Sequence, residues 1–394
     1  MFYTGSVPSV GPFDGLLFDP ARVGDLAAVT APPYDIIGPE ERRRLHRASP
    51  HNIARVDLGR DDPMSEDKYT KAGLVFDRWR REGVLVPVGG PAIYPYEMRF
   101  VHQGEPQRVR GVIAEVGLEP WGGGILPHEQ TMAAPVEDRL ALMRATRANI
   151  SPIYAVCSGP SDPQAELLAN AERRPPDREV ADETGVVHRL WVETASEDLA
   201  EWHRKRALLV ADGHHRYQTA LAFRDEADRE RGAGPWDAVM MLVVDAVAEE
   251  PPVLPIHRVA RADPVPDLPG QRVRDLAEVL AWLAEGGLRF GAAVRRGAAL
   301  EHLVGTLAGE PPAVAALHRE VIEAADGLRD LRYVPDAAAA EESVRSGRAD
   351  VALFLPAARV EEIRSVIEAG GRLPQKSTYF WPKPRTGMVV RPLD

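Results

Sequence analysis

The chain has 394 residues, enough for two or three domains, and 44% hydrophobic with 27% charged residues is the balance of a globular protein with a sizeable core. Asp and Glu number 59 against 48 Lys and Arg, a net charge of −11 without any basic tract or arm, so no nucleic-acid partner is expected. A lone cysteine, Cys157, excludes an intrachain disulfide framework and a CxxC zinc site, and reads as a small apolar residue at a strand end.

The N-terminal "MFYTGSVPSVGPFDGLL" lacks a basic region followed by a long apolar one. No stretch reaches the ~18 uninterrupted apolar residues of a membrane span. A cytoplasmic protein with no membrane contact is expected, and homo-oligomerisation is left open. In "APPYDIIGPEERRRLHRASPHNIARVDL", two prolines stiffen Tyr34 and Asp35, and Pro39 stands early in a helix. Tyr69, Ala72, Val75, Phe76 and Trp79 recur at helical spacing in a helix that stops at Gly83. "PAIYPYEMRF" and "RVRGVIAEVGL" read as the strands of a hairpin around "VHQGEPQ". Residues 136 to 148 form an amphipathic helix with Leu140, Leu142 and Met143 inward, and "SPIYAV" is a strand.

Residues 158 to 184, rich in Pro, Asp, Glu and Ala, read as a surface excursion with at most one short helix before "VVHRLWVE" resumes strand character. "RALLVADG" is a strand that stops at Asp212, "YQTALAFRDEADRERG" a helix, and "WDAVMMLVVDA" a central strand buried on both faces. The composition then changes, and residues 270 to 371 read as Ala-, Arg- and Glu-rich helices around short strands such as "VALFLPA". The expected division is a core over residues 1–261, an Ala-rich α/β domain over 262–371, and a segment over 372–394 that returns to the site.

Four loops have compositions that burial does not explain. In "VADGHHRYQTAL" a strand meets a helix within two residues, so the first helical N–H groups and the helix dipole make an anion site. Gly213 allows close backbone approach or positive φ, Arg216 offers a forked charged contact to phosphate, and His214 and His215 add donors. Asp212 repels phosphate unless it binds Mg²⁺, caps the helix or activates a hydroxyl. Taken singly, Asp212 is an N-cap and the histidines are exposed helix residues; the five together favour function. Zinc is weaker, because adjacent histidines diverge and cysteine partners are missing.

The second loop, "WGGGILPHEQTMAAPVEDRL", offers His128 and Glu129 as general base or metal contact and Thr131 as a phosphate or substrate donor, though the glycine run lacks the spacing and Lys of a P-loop. In the third, Pro-Pro-Tyr34-Asp35 is by spacing a turn with an Asx cap. The fourth, "QKSTYFWPKP", brings Lys376, Ser377, Thr378 and Lys383 among aromatics, suited to a phosphate or carboxylate, or else a strand closing a sheet. "LPIHRV" adds His257 and Arg258, as substrate contacts or as partners of surface acids.

"APPYDII", "PHEQT", "EDRLALMRATRANISPIY", "ADGHHRYQTA", "LPIHR" and "QKSTYFWPKP" stand in the order found in the family called Domain of Unknown Function 1015, and the resemblance runs from about residue 10 to the C-terminus. More distantly, the strand–Asp-Gly-His-His-Arg–helix element is similar to the phosphate-binding element of the ParB/sulfiredoxin-like superfamily, which includes free serine kinases. That resemblance implies an α+β fold: a nucleotide-binding core of ParB/sulfiredoxin-like type, with an additional mixed sheet and the Ala-rich helical C-terminal part. It implies phosphates on Gly213, His214, His215 and Arg216, with Asp212 near the acceptor hydroxyl or a metal. The catalytic glutamate of those kinases has no secure match; Glu129 is the candidate, with Asp35 behind it, and His128 is a further catalytic candidate.

The expected function is a small-molecule kinase, a nucleotide-dependent phosphotransferase acting on the hydroxyl of a small metabolite, with free L-serine the best single choice. Mg²⁺ with a nucleoside di- or triphosphate, ATP or ADP, would be the donor. Its phosphate contacts would include Thr131, Lys376, Ser377 and Thr378; the substrate contacts would be Tyr34, His257 and Arg258. The alternatives are a non-enzymatic regulatory protein that binds a nucleotide or metabolite, and a hydrolase or lyase acting on a phosphorylated small molecule.

Overall fold

The two strand-like runs around "VHQGEPQ" form a long antiparallel hairpin, Tyr94–His102 against Glu105–Gly117, in a computed structural model that describes residues 8–59, 67–128, 133–157, 162–194 and 206–394. Its two-residue turn, Gln103-Gly104, has φ of 53° and 86°, which matches the twist of the flanking strands. The chain divides into two compact units. One comprises Met1–Pro127, Thr131–Pro251 and Pro382–Asp394, and the other His128–Gln130 and Pro252–Trp381.

The hairpin belongs to a nine-stranded mixed sheet in the first unit. Its order runs Ile125–Pro127, Leu208–Asp212, Ile153–Cys157, Ala238–Asp245, Glu105–Gly117, Tyr94–His102, Val187–Leu190 and Arg178–Ala181, with Val10–Gly11 also pairing with Glu105–Gly117. The continuous apolar run "AVMMLVVD" is a central strand buried from Val239 onward, parallel to Ile153–Cys157 and antiparallel to Glu105–Gly117. One core cluster joins Val112, Ala114, Ile153, Val210, Met241 and Val243 of this sheet to Tyr217, Ala220 and Leu221 of the His214–Arg231 helix.

A second cluster gathers around the Lys68–Arg81 helix, whose Phe76 and Trp79 are fully buried with Phe18, Leu45, Ile53 and Val390. Asp67 caps this helix by accepting from the N–H groups of Tyr69 and Thr70. The helix expected from residue 136 spans Ala133–Thr146; Arg139, Leu142 and Thr146 are buried, while Leu140 and Met143 are half-buried beside Phe223 and Trp236. The expected surface excursion contains the helix Asp162–Ala171 and also an edge strand, Arg178–Ala181. Only Val180 of that strand is buried, so no alternation marks it in the sequence.

In the second unit the Ala-rich helices surround six strands rather than a few short ones. The antiparallel order is Gln271–Val273, Ala299–Thr306, Arg289–Arg296, Val351–Phe354, His257–Ala262 and Leu328–Val334. Helices Leu276–Ala284 and Ala337–Arg345 place Val279, Leu283, Ala340 and Val344 against Val259, Ala293, Ala352 and Phe354. The small residues of "FGAAV" follow from that close packing: a Cβ on Gly291 would lie 2.2 Å from Val279 Cγ1. Alanine here serves a strand under a helix, which composition alone reads as helix.

His257 and Arg258 are buried within this unit. Leu355 N–H donates to His257 Nδ1 at 3.3 Å, and Arg258 Nε donates to His318 Nε2 at 3.3 Å, so each ring accepts as a neutral imidazole. Burial, with the Arg258 charge, pushes both down to about 4. Such groups contribute stability that is fully present above the unfolded value of about 6.5 and is lost as pH falls toward 4. Thermal unfolding is therefore expected to shift down between pH 7 and pH 5, and His257→Asn, which keeps an acceptor without the titration, to reduce that shift. An equal pH dependence in the variant contradicts this.

Candidate functional site

The Leu208–Asp212 strand stops at Asp212, and the His214–Arg231 helix starts one residue later. Gly213 makes that turn with φ +100°, and a Cβ there would lie 3.0–3.1 Å from three guanidinium atoms of Arg216. Only glycine permits both the conformation and the approach. The first intrahelical backbone bond runs from Tyr217 N–H to Gly213 O at 2.9 Å, so the N–H groups of the first turn stand outside the ladder at the positive end of the helix dipole.

Arg216 folds back over this turn. Its Nη2 donates to Asp212 Oδ2, and its Nη1 to Ser151 Oγ at 2.8 Å and to the Pro152 carbonyl. Asp212 is therefore not the helix N-cap; Gly213 occupies that position without a side-chain cap bond, and the carboxylate is held by cations instead. The second cation is Lys383. Its ammonium donates to Asp212 Oδ1 at 2.6 Å and to Asp35 Oδ2 at 2.7 Å, with only 7% of the side chain exposed. Burial favours the neutral amine, but the two carboxylates outweigh it and hold the Lys383 pKa above its ordinary value.

Asp35 lies on the short 3₁₀ turn Tyr34–Ile36, set up by Pro33. The same turn aims Tyr34 at Arg139, whose guanidinium sits 4.3 Å from the ring centroid. Burial raises the Tyr34 phenol to about 12, so it stays protonated at neutral pH. Arg139 in turn donates to Asp57 Oδ1 at 2.9 Å, and burial raises the Asp57 carboxyl against the opposing charges of Arg139 and Arg216. The returning C-terminal segment is fixed by Thr386, whose hydroxyl is 3.2 Å from Ser151 Oγ, and by Arg385, which donates to Thr30 Oγ1 at 2.7 Å.

Asp35, Tyr34, Asp212, Gly213 and Arg216 thus share one neighbourhood of the first unit. His214 and His215 open the same helix, and the buried His214 ring stacks on Trp121 with centroids 6.0 Å apart. His128, His257, Arg258, Lys376, Ser377 and Thr378 belong to the second unit. There His128 Nε2 is hydrogen bonded to Thr378 Oγ1 at 2.6 Å, Ser377 Oγ donates to the Pro374 carbonyl, and Arg258 Nη2 donates to the Lys376 carbonyl at 3.1 Å. Glu129 and Thr131 lie outside the described residues. Among the described residues no group of three or more His, Cys, Asp and Glu side chains is placed to hold a metal ion, and no helix is long and apolar enough to cross a membrane.

In the sequence Lys383 stands out only as one of several C-terminal groups suited to an anion, and nothing marks Asp57, Arg139 or Ser151. Asp57 sits in "IARVDL", where no spacing sets it apart, and Arg139 is one of several charged residues on its helix, where Arg144 pairs with Glu226 and Asp138 bonds both Lys68 and Arg139.

Fold and site together define an α+β protein with a glycine-hinged strand-to-helix loop, closed by two carboxylates and by the cations of Lys383 and Arg216. The chain belongs to the family described as "Protein of unknown function (DUF1015)", whose model matches residues 10–304. No curated protein matches it. Among solved structures, a free serine kinase in complex with AMP is 15% identical with a TM-score of 0.35, over 67% of this chain and 89% of that one. SbnI with a C-terminal truncation, from Staphylococcus aureus, is 11% identical with a TM-score of 0.33, over 69% and 84%. A conserved hypothetical protein from Pyrococcus furiosus is 13% identical with a TM-score of 0.31, over 66% and 90%. At such identities and scores the likeness assigns no activity.

Gly213→Ala is expected to destabilise the chain by about 1–2 kcal/mol, the cost of a side chain in left-handed backbone, and to displace Arg216 from Asp212. Denaturant unfolding measures the first effect. Stability unchanged from wild type would mean that the turn tolerates a Cβ.

Proposed function

We propose that this chain is a nucleotide-dependent phosphotransferase acting on the hydroxyl of a small metabolite. The observation that supports it is the convergence of Asp35, Asp212, Arg216 and Lys383 at the start of an 18-residue helix. Phosphoryl transfer asks a protein chiefly to position the reactants and neutralise charge. Arg216, Lys383 and the first-turn N–H groups are the positive groups for the donor phosphates. His214 and His215, on the same turn, are further donors.

Asp35 is the more exposed of the two carboxylates, 24% against 16% for Asp212, and is the one to accept the proton from the acceptor hydroxyl. As that proton leaves, the hydroxyl oxygen forms a bond to the terminal phosphorus, and the bond from phosphorus to the bridging oxygen breaks. Glu129 remains the other candidate for this base.

Both carboxylates reach one ammonium, so they are close enough to share a cation. One or two carboxylates plus substrate phosphates is the usual protein contribution to Mg²⁺, and Asp212 would supply one, leaving Asp35 to act as the base. The metal would neutralise phosphate charge, with ATP or ADP as the donor. The resemblance of the strand–Asp-Gly-His-His-Arg–helix element to that of free serine kinases makes free L-serine the first acceptor to test.

A Mg²⁺–nucleotide at 100 times its Kd is expected to stabilise the wild type by about 2.7 kcal/mol, seen as a rise in melting temperature that Arg216→Ala abolishes. Asp35→Asn is expected to lower phosphate transfer about 100-fold or more with nucleotide binding retained. The reading fails if ATP, ADP, GTP and CTP leave both the melting temperature and phosphate transfer at background.

A further inference from the structure

The first unit contains a cavity of about 50 Å³, several times the ~10–15 Å³ that admits a single water. Arg216 lines it, so one guanidinium serves both this cavity and the ion pair with Asp212. Tyr34, Asp57, Arg139 and Ser151 are further polar walls. Leu142, Met143, Ile150, Ile153 and Val239 supply an extensive aliphatic wall.

Two of the polar walls are incompletely satisfied. Asp57 is 6% exposed, and its Oδ1 is engaged by Arg139, yet Oδ2 is buried without a hydrogen-bond partner among the described residues. Arg216 binds three oxygens through Nη1 and Nη2, while its buried Nε has no partner among the described residues. A buried acceptor and a buried donor left unmade are each costly, so such atoms call for a partner. A ligand that carries a donor and an acceptor relieves both, and an ammonium beside a carboxylate is the compact group that does so with matching charge.

We infer that this cavity is the acceptor pocket, and that it takes an aliphatic α-amino acid at least one carbon longer than serine, with the ammonium on Asp57 Oδ2 and the carboxylate on Arg216 Nε. The first half rests on the phosphotransferase reading; the recognition of the amino acid does not. The aliphatic wall decides the length. Serine carries no carbon without a polar group to set against it, whereas the methyl of threonine or the extra methylene of homoserine is buried there. One such group discriminates by about tenfold or more.

Binding to the full-length chain without nucleotide tests this by calorimetry, with L-threonine, L-2-aminobutyrate, L-serine and 2-hydroxybutyrate as ligands. The two four-carbon amino acids are expected to bind about tenfold tighter than serine, and 2-hydroxybutyrate, which lacks the ammonium, not to bind. Asp57→Asn is expected to weaken amino-acid binding at least tenfold. Ala148→Leu, which fills the cavity without altering a polar group, is expected to abolish it, and it decides the matter if the Asp57 variant does not fold. Serine binding as tightly as threonine overturns the assigned length. Equal binding of 2-hydroxybutyrate overturns the role of Asp57. Binding of no amino acid, or binding unaffected by Ala148→Leu, overturns the pocket itself. Amino-acid binding without phosphate transfer from any nucleotide leaves the pocket standing and refutes the kinase.

Discussion

A buried ammonium between two carboxylates is the constraint on which the site depends. Lys383 bonds Asp35 and Asp212, Asp212 bonds Arg216, and Arg216 bonds Ser151 and the Pro152 carbonyl. Charges removed from water are tolerated only when paired, and removing one partner of a buried pair typically costs about 3–5 kcal/mol. This chain of ions therefore ties together a proline-stiffened turn, a strand end, a helix start and the returning C-terminal segment. The exposed pair Arg43–Glu40, at 3.5 Å, imposes no comparable constraint.

Much of the local structure was legible because it obeys one period at a time. The hairpin around Gln103-Gly104, the helix built on Phe76 and Trp79, and the central strand Ala238–Asp245 follow from alternation, helical spacing and a continuous apolar run. The strand-to-helix turn at Gly213 was legible from composition, since glycine between a carboxylate and a helical arginine has few other uses. What stayed hidden depends on distance along the chain. Nothing in "IARVDL" announces that Asp57 meets Arg139, and nothing local pairs Lys383 with Asp35, 348 residues apart. In the second unit, small residues needed under closely packed helices imitate helix-forming composition, so six strands read as fewer.

Tyr34 and Asp35 are adjacent residues with separate partners. One stacks on Arg139, which holds Asp57, and the other pairs with Lys383, which holds Asp212. The short 3₁₀ turn after Pro33 carries both side chains. Both sets of contacts thus hang on the same short piece of backbone.

The first unit is interrupted, and Pro382–Asp394 is made only after all of Pro252–Trp381. At about 5–20 residues per second, a ribosome needs on the order of ten seconds to cross that stretch. Throughout that interval the nascent first unit holds Asp35 and Asp212 without Lys383, and their like charges oppose closure of that corner. Lys383 arrives as a late electrostatic latch. A polypeptide released before Lys383 is translated lacks the cation that bridges Asp35 and Asp212.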